Sequence, residues 1–317
     1  MKILVTGVYG FVGSYLIKEL IKNKQNRVVG FGRNTSQKNK ARIERDLKTA
    51  SHENLEIVHG DLCDDISELC EGVDVVIHTA AKTFVDHSIR TPMPFIQSNL
   101  VGTYNLLESA RVNKVKRYIQ VSTDEVYGAI LEGAHTEKSP LNPSNPYAAA
   151  KAAADCLVQS YIKTYGLNAV ITRTENNCGP FQHAQKVIPA FVKKALNGEK
   201  LSIYGDGKHK RMWIHVSDHA KALMFLIDHG DPGEIFNVAG SQELENIQLA
   251  EWVLSRLGVP FNMIEYIDDS VIRPGHDRRY AIDSSKIRKL GWEPEMDLEK
   301  TLDSTIDWYV NNQWWCI

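Results

Sequence analysis

The first 175 residues alternate short apolar runs with longer amphipathic segments, and few architectures accept that pattern. Six runs, KILVT (2–6), RVVGF (27–31), LEIVH (55–59), DVVIH (74–78), RYIQV (117–121) and NAVITRT (168–174), are rich in Val and Ile. Amphipathic stretches lie between most of them, among them 11–22, 93–113 and 146–165. Strand, helix and parallel strand join by right-handed crossovers, so the alternation predicts an α/β fold with a doubly wound parallel sheet covered on both faces. After about residue 175 the pattern loosens. Helices are expected there near 186–197, 218–228, 247–257 and 298–311, among loops rich in Gly, Pro, His and Arg. The expected organisation is a sheet domain over 1–175 and a smaller C-terminal lobe over 176–317, interleaved with the sheet.

Composition narrows the function classes. A chain of 317 residues that is 43% hydrophobic supports a sizeable core. A net charge of −2 offers no basic stripe for nucleic acid. No apolar run reaches the roughly 18 residues that span a bilayer. The opening MKILVTG enters a strand at once, so no secretory signal is expected. Five cysteines, Cys63, Cys70, Cys156, Cys178 and Cys316, are odd in number and lack metal-ligand spacing, which fits a reducing, cytoplasmic setting. His183, His209, His215 and His219 are scattered, and no metal site is expected.

The first strand ends in a GxxGxxG loop, Gly7-Val8-Tyr9-Gly10-Phe11-Val12-Gly13, that opens a helix. The first glycine makes a tight turn, the second admits a pyrophosphate to the backbone, and the third lets helix and strand pack closely. Free N–H groups and the dipole at the helix start then attract phosphates. This predicts a Rossmann-like dinucleotide site built from Gly7, Tyr9, Gly10, Phe11, Val12 and Gly13. The second strand runs into Gly32-Arg33-Asn34, where an acidic residue would bind the adenosine ribose. Without that carboxylate, a 2′-phosphate is not repelled, and Arg33 would pair with it, so NADP is favoured over NAD. Asp61 and Leu62 would meet the adenine. Ala80 and Ala81 are small enough to let the cofactor lie close, and Lys82, Asn99 and Ser122 complete the expected contacts.

Two further motifs carry chemistry. Tyr147 and Lys151 stand four apart in PYAAAK, hence on one helix face. A lysine ammonium beside the phenol is expected to lower its pKa and make Tyr147 a general base. Ser122-Thr123-Asp124-Glu125 closes the fifth strand with two adjacent carboxylates. Such a pair repels itself unless chemistry uses it, and two close carboxylates readily differ in pKa. If Tyr147 serves the oxidation of a hexose at C4, Glu125 would remove the C5 proton and Asp124 would protonate the departing C6 hydroxyl. Thr123 would hold the C4 oxygen. A simple C4 epimerase needs only the hydroxyl and the tyrosine, so the acid pair favours dehydration.

These residues resemble the extended short-chain dehydrogenase/reductases, and within them the dTDP-glucose 4,6-dehydratases. The resemblance spans nearly the whole chain through GxxGxxG, STDEVYG, PYAAAK, NNCGP (176–180), IYGDGKHKRMWIHVSDHAKAL (203–223) and RPGHDRRYAID (273–283). It implies a nucleotide-sugar 4,6-dehydratase that forms a 4-keto-6-deoxyhexose. It also implies a tightly bound NAD or NADP and a homodimer joined through helices near 95–113 and 147–165. By the same resemblance Asn177 would contact the diphosphate, Arg211 and Arg273 phosphate and nucleoside, His276 the nucleoside and Tyr280 the hexose. Phe84, Gln185, Lys186 and Val187 would line the sugar pocket. Where the family's loop reads AAESHVDRS, this chain has Lys82 and Phe84 in place of the glutamate and histidine, and Gln185-Lys186 stands where the family has Glu-Lys. These changes open the substrate to UDP- or GDP-linked hexoses, N-acetylhexosamines included. A nucleotide-sugar 4-epimerase and a non-catalytic nucleotide-binding scaffold are the rival readings.

Overall fold

A computed structural model describes residues 1–33, 53–240, 242–268, 270, 273, 274 and 276–316. Seven strands form one parallel sheet: β1 (Lys2–Thr6), β2 (Arg27–Gly32), β3 (Leu55–His59), β4 (Val75–His78), β5 (Arg117–Thr123), β6 (Ala169–Thr174) and β10 (Ile235–Val238). Their order is β10-β6-β5-β4-β1-β2-β3. The six apolar runs read from the sequence are β1 to β6. The seventh strand is short and lies among loops, so periodicity alone does not disclose it. Because β1 pairs with β2 on one side and β4 on the other, the strand order reverses there. Crevices at the carboxyl ends beside such a reversal hold ligands in this architecture.

Helices α1 (Phe11–Leu20), α2 (Val85–Arg90), α3 (Gly102–Val112) and α4 (Pro146–Tyr165) follow in the first half. The stretch 93–113 is not one helix. A single turn, Met93–Ile96, passes into a π turn, Gln97–Val101, before α3 begins. The π turn carries Asn99, which accepts from Lys82 N at 2.8 Å and donates to Lys82 O at 3.0 Å. Helix α4 starts on an N-cap, Asn145 Oδ1 accepting from Ala148 N at 2.9 Å, with Pro146 as its first residue.

The second half supplies α5 (Val187–Leu196), α6 (Val216–Asp228), α7 (Asn246–Leu257) and α8 (Leu298–Asn311). It adds a three-stranded sheet of β7 (Asn176–Cys178), β9 (Lys210–His215) and β11 (Glu243–Glu245), and a parallel pair of β8 (Leu201–Tyr204) and β12 (Ile264–Ile267). Helices α5, α7 and α8 share a core with Trp213 and Trp315. Trp315 Nε1 donates to Gln182 O at 2.7 Å, which fixes this tryptophan as a packing residue. Helix α6 instead packs on α1, and β10 joins β6, so parts of the late sequence complete the first sheet.

Candidate active site

Two contiguous cavities, of about 440 and 640 Å³, open along the carboxyl ends of the sheet. They share Thr83, Phe84, Glu125, Asn176, Lys186, Val187 and Trp213. The first cavity is built on the glycine loop. Gly7 sits at φ +75°, and a Cβ there would lie 2.8 Å from Ala80 N. A Cβ on Gly13 would lie 2.3 Å from Gly7 O. Side chains there would collide with the protein's own backbone, so the loop packs tightly and stays bare, and at the start of α1 it fits a pyrophosphate. Tyr9, Gly10, Phe11, Val12, Arg33, Asp61, Leu62, Ala80, Ala81, Ser122, Tyr147 and Lys151 line the same cavity. Lys82 and Asn99 do not; they brace each other's segment just outside it. Asn34 lies outside the described residues.

Arg33 reaches across from the end of β2 and meets Asp61 at 2.9 Å. Asp61 also accepts from Cys63 N at 3.0 Å, and these partners hold its carboxyl below the usual range despite partial burial. This end of the cavity therefore carries a cation and an anion already joined.

The reacting groups converge at the end of β5. Thr123 Oγ1 donates to Asp124 Oδ1 at 3.1 Å and accepts from Glu125 N at 3.3 Å. Asp124 is 6% exposed. Burial first, then the Glu125 charge, pushes its carboxyl up to about 7. Glu125 is also raised by burial, opposed by a hydrogen bond from Asn145 Nδ2 at 3.2 Å and by Arg211, Lys186 and Arg273. Two carboxyls in one cavity are thus both less acidic than free ones, with a neutral Asp124 accessible near pH 7.

Tyr147 departs from expectation. Burial and then the Glu125 charge push its phenol well above the usual value, and only a Thr123 hydrogen bond opposes them. Lys151 does not offset this, because its Nζ donates to Val121 O at 2.6 Å and burial pulls its own pKa down to about 8. Lys151 faces Asp155 one turn further along α4, and Asp155 is paired with Arg173 at 3.0 Å, both fully buried. The ammonium is therefore drawn toward the sheet rather than toward the phenol.

The second cavity gathers Phe84, Gln185, Lys186, Val187, Arg211, Arg273, His276 and Tyr280 as the motifs implied. Asn177 lines the first cavity instead. Its Nδ2 donates to Glu175 O at 3.1 Å and its Oδ1 meets His219 Nδ1 at 2.8 Å. Phe84 replaces a polar residue with a platform: Lys186 Nζ stands 4.6 Å from its ring centre and His183 packs edge-on at 4.9 Å. Lys186 also donates to Thr83 O at 3.1 Å. Tyr280 lies under the Arg211 guanidinium at 4.5 Å.

Several participants escape sequence reading. Asn145 orients Glu125, and the Asn-Pro before the Tyr–Lys helix was an available N-cap signal. Ser88 Oγ accepts from Tyr147 N at 3.2 Å, a contact between residues 59 apart that no local pattern encodes. Glu175 is buried in the wall of the first cavity, with its carboxyl raised well above the usual range by burial.

Comparison with known proteins now places the chain. The family model for GDP-mannose 4,6 dehydratase matches residues 4–305. The chain is 42% identical to the low-salt glycan biosynthesis protein Agl12 of Haloferax volcanii, over 98% of this chain and 99% of that one. It is 41% identical to a dTDP-glucose 4,6-dehydratase of an Actinoplanes species, over 99% and 100%. The solved dTDP-glucose 4,6-dehydratase DesIV of Streptomyces venezuelae, with NAD bound, superimposes with a TM-score of 0.94 at 39% identity, covering 99% of this chain and 98% of that one. The chain belongs to the extended short-chain dehydrogenase/reductase family of nucleotide-sugar epimerases and dehydratases. Within that family it is a nucleotide-sugar 4,6-dehydratase, a nicotinamide-dependent hydro-lyase.

Proposed function

We propose that the enzyme converts a dTDP-linked hexose to its 4-keto-6-deoxy form. The observation that carries this reading is the Thr123-Asp124-Glu125 cluster, its first two residues buried and Glu125 half-buried, opening into the same cavity as Tyr147. Tyr147 would take the C4 hydroxyl proton once its phenol is ionised beside the positive charge of a bound oxidised dinucleotide, while Thr123 holds that oxygen. The glycine loop, Tyr147 and Lys151 would hold the dinucleotide, which would supply a store for the C4 hydride until C6 receives it. Once C4 is a ketone, Glu125 removes the C5 proton and neutral Asp124 protonates the departing C6 hydroxyl, which leaves as water; Glu125 then gives its proton back to C5 as C6 regains the hydride. Lys186 over Phe84 sits where the two cavities meet and offsets charge on Glu125.

The dTDP assignment follows the dehydratases to which the chain is similar. Incubation with dTDP-glucose, UDP-glucose, UDP-N-acetylglucosamine and GDP-mannose tests it. Loss of one water from dTDP-glucose supports it, and loss from another donor reassigns the base or sugar. A sugar isomer of unchanged mass makes the enzyme an epimerase and removes the role given to Asp124. Arg33 decides the cofactor. The absent carboxylate at Gly32 supports NADP, whereas the Arg33–Asp61 pair and the NAD bound in solved relatives support NAD. Tighter binding of NADP makes Arg33 a 2′-phosphate ligand, and tighter binding of NAD makes it the partner of Asp61. Free cysteines and the absence of any membrane-spanning helix among the described residues support a cytoplasmic setting. A homodimer completes the proposal.

A further inference from the structure

Arg211 and Arg273 line the same cavity, yet their N–H groups are committed differently. Arg211 Nη1 donates to Lys210 O at 2.7 Å and reaches Arg278 O at 3.4 Å. Its Nη2 donates to Asp277 O at 2.9 Å and faces His276 Nε2 at 3.2 Å. Both Nη groups therefore hold the 276–278 segment in place. Arg273 is held from the side by Asp86, through Nε to Oδ1 and through Nη2 to Oδ2 at 3.2 Å. Nη1 meets His276 Nε2 at 3.4 Å.

A guanidinium carries five N–H groups. The Asp86 pairing takes two and His276 a third. One N–H on each Nη remains along the end of the fork, and that edge suits two phosphate oxygens. A carboxylate beside a phosphate site would ordinarily oppose the ligand. Here Arg90, Lys186, Lys194, Arg211 and Arg273 line the cavity with Asp86, Glu125 and Asp277, and the cations outweigh the carboxylates. Tyr204 lies 5.3 Å below the Arg273 guanidinium and limits its tilt.

We propose that Asp86 is a positioning residue: it fixes the plane of Arg273 so that the free edge of the fork meets the diphosphate of the substrate. This rests on the nucleotide-sugar reading above. Its segment also reaches the reacting groups. Thr83 O accepts from Lys186 Nζ, and Ser88 Oγ accepts from Tyr147 N. Diphosphate held by Arg273 is thus tied through one short stretch of chain to both the sugar pocket and the start of α4.

The test measures binding of dTDP, inorganic pyrophosphate and thymidine to the cofactor-loaded enzyme, with Asp86→Asn and Asp86→Glu as variants. In Asp86→Asn, dTDP and pyrophosphate binding fall roughly tenfold, thymidine binding stays within about twofold, and KM rises more than kcat falls. Asp86→Glu restores part of the loss. Unchanged dTDP affinity in Asp86→Asn overturns the proposal. A parallel fall in thymidine affinity also overturns it, because Asp86 would then only shape the loop. Failure of the wild-type enzyme to bind dTDP is read before any variant; it overturns the substrate reading, and this proposal with it.

Discussion

At the scale of single residues, Asp124 makes the sharpest claim. Its carboxyl titrates near 7 in the folded chain and near its ordinary 3.8 when unfolded. The folded state therefore holds the proton more tightly. Its contribution to stability is full below about pH 4 and is lost as pH rises toward 7. Asn cannot ionise, so Asp124→Asn should gain on the wild type over that window. The gap in unfolding free energy is expected to widen by roughly 2 kcal/mol between pH 5 and pH 8, measured by denaturant melts at each pH. The same substitution removes the acid for water departure, and dehydration should slow by on the order of a hundredfold. In the wild type that step should fade above pH 7 as Asp124 ionises. Tyr147 teaches a related point. A Tyr-x-x-x-Lys spacing predicts a lysine that acidifies the phenol, but spacing does not say where the ammonium turns. Here the Val121 carbonyl and Asp155 draw it away.

At the scale of elements, the glycine loop is the part on which the cofactor depends most. Gly13→Ala would drive a methyl group into the Gly7 carbonyl at 2.3 Å and push α1 off the loop. The variant should purify without bound dinucleotide, read by absorbance after denaturation, and lose about 1–3 kcal/mol of stability from overpacking. Elements of this kind were legible because their signals are local. KILVT and the Pro146–Tyr165 helix appear at the bounds that apolar runs, Pro and Gly mark, and RYIQV forms a strand that runs on through Thr123. Strand β10 was not legible, since four residues bounded by loops carry no period. The π turn at Gln97–Val101 was not legible either, because it answers to the Lys82 backbone rather than to its own sequence. The candidate site divides the same way. Glu125, Tyr147 and Arg273 follow from motifs, whereas Asp86, Ser88 and Asn145 act through partners distant in the chain or through a cap.

At the scale of the whole molecule, several large apolar side chains stand exposed among the described residues. Met93, Ile96, Val101, Tyr104 and Val112, along the Met93–Val112 region, are exposed, as is Tyr165 at the end of α4. A monomer rarely leaves such a run of large apolar side chains in water. The enzyme should scatter light as a dimer, and Met93→Asp with Tyr104→Asp should yield monomers that retain bound cofactor. A monomeric wild type would sink the idea. The sheet itself has a different consequence for the chain's history. Its last strand, β10, arrives at residues 235–238, some way after β6 has been made, and α6, which packs on α1, also comes from the later half. A nascent chain on the ribosome holds six strands with the β6 edge unpaired until those residues emerge. The first cavity also takes Lys186, Trp213 and His219 from the later half, so it is complete only late in synthesis, and the emerging first half is the stage at which this protein would call on a chaperone.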